Sequence, residues 1–146
     1  MIVRRATAND LEHLLPLVRG YREFYEQAHD AARERKFIQA HLRDGTSVVF
    51  LAEEGDAAIG FVQIFPSHST VRLAPSLILE DLFVFPAARG RGAASALLAA
   101  ACDYARSIGA SGMFLETAMD NLTAQRVYEH NGWTREGRFL KYNAPG

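Results

Sequence analysis

One stretch constrains the chain more than any other: Glu80-Asp81-Leu82-Phe83-Val84-Phe85-Pro86-Ala87-Ala88-Arg89-Gly90-Arg91-Gly92-Ala93-Ala94. It reads as a buried strand, a short turn and the start of a long Ala/Leu helix. Pro86 has no N–H to donate, so it ends the ladder. A helix leaves the N–H groups of its first turn unpaired, and its dipole favours negative charge there. Gly90 and Gly92 lack Cβ, so a ligand and the backbone can come close. Arg89 and Arg91 add charge and forked donors suited to phosphate. The stretch predicts a pyrophosphate held at the turn. It is not a Walker loop, because no Gly-Lys-Ser/Thr follows. It is a poor dinucleotide fingerprint, because Ser95 stands at the third glycine position.

The rest of the chain is read around that turn. Residues 2–6 alternate as an edge strand. Thr7-x-x-Asp10 resembles a capping box that opens a helix through Leu11, Leu14, Leu15 and Val18. Pro16 inside that pattern predicts a kink or a break. A second helix is expected over 33–43, with Phe37, His41 and Leu42 inward. Strands follow at 47–52, 57–65 and 77–85, with Pro66 to Ser69 ending the second. A helix over about 91–108 closes at Gly109, and a strand is expected at 112–117. Asn121 caps a short helix that stops at Asn131-Gly132. Short strands are expected at 133–135 and 139–142. The order β-α-α-β-β-β-α-β-α-β-β predicts an α+β fold: a mixed, mostly antiparallel central sheet flanked by helices.

With 146 residues, one domain spanning 1–146 is expected. The formal net charge of −1 gives no field that would gather nucleic acid or anionic membrane. No apolar run is long enough to span a bilayer, and no signal peptide is evident. The single cysteine, Cys102, excludes an internal disulfide, and together these points predict a cytoplasmic setting. Cys102 lies in an Ala-rich helix and reads as a small hydrophobe, not a nucleophile. The five histidines show no metal-binding spacing, so no metal is expected. Arg89-Gly90-Arg91 lacks the interleaved aromatics of an RNA surface.

A second motif, Asn121-x-x-Ala124-x-x-x-Tyr128-x-x-x-Gly132-Trp133, puts Asn121 and Tyr128 on one helical face. Alone it reads equally well as a cap plus a core tyrosine. With Arg89-Gly90-Arg91-Gly92-Ala93-Ala94 upstream of it, the chain resembles the GNAT superfamily of N-acetyltransferases over essentially its whole length. Leu79-Glu80-Asp81-Leu82-Phe83-Val84, the aromatic Tyr21/Phe24/Tyr25 segment, Thr117-x-x-x-Asn121 and Phe139-x-x-Tyr142 look like the diamine/spermidine and small histone/polyamine acetyltransferase-like group.

The resemblance implies acetyl-CoA as co-substrate and a primary amine, small or protein-borne, as acceptor. It implies that Leu82, Phe83 and Val84 offer backbone groups to the pantetheine arm. Arg89, Gly90, Arg91, Gly92, Ala93 and Ala94 would bind the pyrophosphate. Asn121 would contact the pantetheine region, Tyr128 would be the general acid and Glu80 the general base. It also admits a homodimer, which many relatives form, often through the C-terminal strands. Tyr21, Phe24 and Tyr25 are read as core or as the wall of a substrate pocket, and in the second case they line the acceptor side with Phe65 and Ser67.

The chemistry fits these roles. An alkyl amine with a pKa of roughly 10.4 must lose a proton before it attacks a thioester. A carboxylate both attracts the ammonium and relays its proton. Alternation puts Glu80 and Asp81 on opposite faces, so one of them should face the cleft. A non-catalytic acyl-CoA-binding or sensing module on the same fold is the alternative. A domain for other nucleotides would prefer ATP or NAD.

Overall fold

The computed structural model describes residues 1–146. They form two compact units, Met1–Glu116 and Thr117–Gly146.

In the first unit the elements are β1 (Ile2–Arg5), α1 (Leu11–Phe24), α2 (Ala31–Asp44), β2 (Val48–Glu54), β3 (Ala57–Ser69), β4 (Ala74–Val84), α3 (Ala93–Ser107) and β5 (Met113–Phe114). The five strands form one sheet in sequence order. All neighbours are antiparallel except β4 and β5, which are parallel. The Thr7/Asp10 capping box forms and opens a 3-10 turn that leads into α1. Asp10 also pairs with Arg4 at 2.6 Å, tying β1 to this turn. α1 runs unbroken through Pro16, so of the kink or break expected there the break does not occur. Leu11, Leu14, Leu17 and Val18 carry its buried face against Val49, Leu51, Phe61 and Phe83 of the sheet. In α2 the buried residues are Glu34 and Ile38, whereas Phe37 is exposed, contrary to the inward placement expected.

β3 continues through Pro66 to Ser69 instead of ending there. Its register with β2 reaches only to Val48 and Ile64. Beyond that point β3 has no β2 ladder to serve, and a proline is tolerated there as on an edge. β4 carries a bulge: Gln63 pairs with Asp81, but Ile64 pairs with Leu79, which leaves Glu80 without an opposite number. The bulge changes which side chains share a face. Asp81 and Phe83 lie with Gln63 and Phe61 on the face covered by α1 and α2. Leu79 lies with Ile64 on the other face, where Gly60 and Val84 approach Leu97 of α3. A regular strand would have put Leu79 and Asp81 together.

α3 closes as expected. Gly109 is left-handed (φ 68°), Ala110 N–H donates to Ala105 O at 3.0 Å and Gly109 N–H to Arg106 O at 3.2 Å, a Schellman motif. The strand expected at 112–117 contracts to Met113–Phe114.

In the second unit α4 (Leu122–His130) is capped by Asn121, whose Oδ1 accepts from Ala124 N–H at 3.1 Å. Gly132 (φ 86°) and Trp133 repeat the Schellman closure, with Trp133 N–H on Tyr128 O at 3.0 Å. The strands expected at 133–135 and 139–142 do not form, so the order ends at α4. An alternating sequence becomes a strand only where a neighbour takes up its N–H and C=O groups. No strand exists in this unit to do so, and Glu136 satisfies the chain locally by accepting from Arg138 N–H at 2.6 Å.

Candidate functional site

The turn after β4 is built by two left-handed residues, Gly90 (φ 79°) and Gly92 (φ 86°). A β-carbon added at either would meet nothing within 4 Å, so glycine is needed for the backbone angle and the space beside the turn is open. Gly92 is the N-cap of α3 and no side chain caps the helix. The first-turn donors of α3 are therefore left for an external acceptor. Ala93 is buried beneath the turn and Ala94 is half-buried. The arginines do not project as free forks. Arg89 Nε donates to Val84 O at 3.0 Å and its guanidinium lies 5.7 Å from the Phe83 ring centroid. Arg91 bridges Glu54 at 2.8 Å and Ala87 O at 3.2 Å. They brace the turn and lend it charge, while the backbone presents the donors. That combination fits a pyrophosphate.

β5 pairs with β4 only at Leu77 and Ile78. Past Ile78, the β5-facing edge of β4 has no strand partner, and Leu82, Phe83 and Val84 lie on that edge. An extended amide chain can use such an edge as an added strand would.

The two acids separate at the bulge. Glu80 is exposed, and its carbonyl accepts from the Tyr21 hydroxyl at 3.1 Å. Asp81 is half-buried and lines a cavity of about 640 Å³ between α1, α2 and the sheet. Burial lifts the Asp81 carboxyl above its ordinary value. The nearby Glu80 charge adds to this, while hydrogen bonds from Gln63 and Tyr21 oppose it. Gln63 Nε2 donates to Asp81 Oδ2 at 2.7 Å, and Ser47 Oγ donates to Gln63 Oε1 at 2.8 Å. Glu34, at the cavity wall, accepts from Arg22 at 2.6 Å and lies 3.0 Å from His29. Burial opposes its charge, but Arg22, the Asp30 N–H and His29 together hold its carboxyl below the ordinary value.

The aromatic residues divide. Tyr21 lines this cavity and packs edge-on against Phe61 and Phe83. Phe24 lines a second hollow, shared with Arg89 and Phe85. Tyr25 is exposed and stacks edge-on with both Tyr21 and Phe24. Phe65 lies 5.0 Å from the ring of His41, and Ser67 is farther along β3. Sequence reasoning missed Ser47 and Gln63. The available signal was Gln63 itself, the one amide in the apolar run Ile59-Gly60-Phe61-Val62-Gln63-Ile64-Phe65. Cys102 is half-buried and its thiol is pushed up by burial, which disfavours the thiolate.

In the second unit, Asn121 and Tyr128 share one face of α4, and the Tyr128 ring lies 6.3 Å from that of Trp133. Asn121 spends its Oδ1 on the cap.

Three comparisons bear on this geometry. The sequence profile of the acetyltransferase (GNAT) family matches residues 14–133. An uncharacterised N-acetyltransferase of Bacillus subtilis (strain 168), YhfO, is 42% identical over 142 residues, covering 97% of this chain and 95% of its own. Among solved structures, a probable acetyltransferase superposes with a TM-score of 0.94 at 37% identity, covering 99% of this chain and 97% of its own. The aminoglycoside N-acetyltransferase AAC(6')-Iy, in complex with the bisubstrate analogue CoA-S-monomethyl-acetylneamine, superposes at 0.84 with 25% identity, over 99% and 98% of the two chains.

Proposed function

The chain belongs to the GNAT acetyltransferase family, and on that premise we propose that it transfers acetyl from acetyl-CoA to a primary amine by direct attack in a ternary complex. The observation that carries the reading is the uncapped start of α3 behind two left-handed glycines, next to the unpaired edge of β4. The turn, residues 89–94, holds the pyrophosphate through backbone N–H groups. Leu82, Phe83 and Val84 hold the pantetheine arm, and Asn121 contacts it. Acetyl-CoA supplies the activated thioester.

Glu80 is exposed, so it can take the ammonium proton through water. A strand N–H near Phe83 or Val84 stabilises the carbonyl oxygen as charge develops on it. Tyr128 returns a proton to the departing thiolate. The acceptor is a small amine carrying more than one ammonium group. Two likenesses support that class: the sequence likeness to diamine and spermidine enzymes, and the aminoglycoside enzyme among the structural relatives. The reaction takes place in the cytoplasm, within a single domain.

The test is thiol release from acetyl-CoA with spermidine, an aminoglycoside and a lysine peptide as acceptors. Amine-dependent release that falls in Glu80→Gln is expected. Cofactor binding with no release for any amine would leave a sensing module in place of an enzyme.

A further inference from the structure

Three residues that no catalytic role uses form a hydrogen-bonded chain across the sheet. Ser47 precedes β2 and is 5% exposed, Gln63 is on β3 and 2% exposed, and Asp81 is on β4. Ser47 donates to Gln63 Oε1, so the amide must turn its NH₂ toward Asp81. The amide orientation is thereby fixed from behind, and with it the rotamer of the carboxylate.

Nothing in the fold requires a carboxylate here. Asp81 is in no ion pair. A half-buried carboxylate without a cation is a cost to the fold, and a neutral amide, whose oxygen would still accept from Gln63, would fill the position more cheaply. The cations around the cavity are otherwise engaged or far out. Arg22, from α1, is committed to Glu34 at 2.6 Å. Arg33, from α2, has a side chain 83% exposed and reaches toward Asp30, and Lys36 is exposed. The remaining titratable neighbours are Tyr21 on α1, His41 on α2 and Glu80 on the strand itself. The cavity thus has aromatic walls in Tyr21 and Phe61 and one uncompensated negative charge. Such a site suits an alkylammonium, whose stem packs on the rings while its head meets the carboxylate.

We propose that Asp81, aimed by the Ser47–Gln63 chain, is the receptor for an ammonium group of the acceptor in the cavity beneath α2, separate from Glu80. Gln63 and Ser47 are positioning residues that act only through Asp81. The identification of that ammonium with the acceptor rests on the acetyl-transfer reading above.

The test is calorimetric titration of the CoA-bound protein with putrescine, with butanediol as the uncharged control, across pH. The wild type should bind putrescine and not the diol. Asp81→Asn should weaken binding by about 10–100-fold, as expected for loss of a charged partner. Ser47→Ala, a mild change, frees the amide to turn. It should weaken binding by about 2–10-fold and move the pH midpoint of binding upward, because Gln63 no longer holds the carboxylate charged. A solely structural role would leave that midpoint unchanged.

A measurement on the unaltered protein guards against misfolded variants: the titration of the Asp81 carboxyl carbon, followed by NMR, should shift downward when putrescine is added. No putrescine binding, equal binding by Asp81→Asn, or an unmoved Asp81 titration overturns the proposal. An unmoved midpoint in Ser47→Ala removes the positioning role. Amine acetylation that is indifferent to Asp81 overturns this inference and leaves the enzyme reading standing. Asp81-dependent binding without acetylation of any amine does the reverse.

Discussion

The turn after β4 and the bulge within β4 are both departures from regular structure, and different things specify them. The turn is written in its own residues. Gly90 and Gly92 take left-handed angles that other residues resist, and each stands in open space. The bulge has no mark of its own, since Leu79, Glu80 and Asp81 are ordinary strand residues. It arises from the register that β3 imposes, with Gln63 on Asp81 and Ile64 on Leu79. The turn would be recognisable in many contexts, whereas the bulge exists only because two strands meet in one way. On this account the turn holds the cofactor and the bulge decides which acid faces the cavity.

The largest expected effect falls on the turn. Gly92→Asp places a carboxylate where phosphate is expected and should abolish stabilisation by acetyl-CoA. Gly92→Ala isolates the backbone cost. It should lower stability by about 1–2 kcal/mol in urea unfolding while leaving the ligand response in place. If both variants lose the response equally, charge is not what the turn recognises. Next in size is Tyr128→Phe, which should reduce turnover by about 10²-fold with cofactor affinity retained. An unchanged rate removes Tyr128 from the chemistry.

The bulge side is sharpened by Gly60→Ala. A β-carbon there would lie 2.9 Å from the Phe83 carbonyl, a backbone atom that cannot swing aside. A loss of about 1–3 kcal/mol is expected from overpacking, and a neutral result would mean that β3 and β4 slide freely. The smallest effect is Asp81→Asn on the unliganded fold. The Asp81 carboxyl is raised in the folded state, so its charge costs stability at neutral pH. That cost fades as pH falls through the raised folded value toward the ordinary one. The variant should therefore melt slightly higher than wild type near neutrality and match it in acid. A variant that melts lower at neutral pH would mean the carboxylate is compensated after all.

The same contrast explains what could be read from the residues. The capping box of Thr7 and Asp10, the Gly109 closure, the Asn121 cap and the glycine turn are satisfied within a few residues, and all four were legible. Of the kink or break that Pro16 predicts, the break does not occur, because tertiary packing of Leu14, Leu17 and Val18 holds α1 together across it. Pro66 misled because the end of β2 is what makes its position edge-like. The strands expected at 133–135 and 139–142 had the right alternation but no partner in their unit. Asp81 was seen as one of two acids, but choosing between them needed the pairing partner of Leu79. Ser47 and Gln63 come together only through β2–β3 pairing, with Val48 opposite Ile64 next to them.

The central claim is that the turn at residues 89–94 holds the pyrophosphate of acetyl-CoA. Thermal unfolding of the protein with acetyl-CoA, ATP or NAD tests it most directly. At about 100 times its Kd, acetyl-CoA should stabilise the fold by about 2.7 kcal/mol, with no comparable shift from the other two. An absent shift, or an equal one with ATP, would contradict the assignment of the turn and the chemistry built on it.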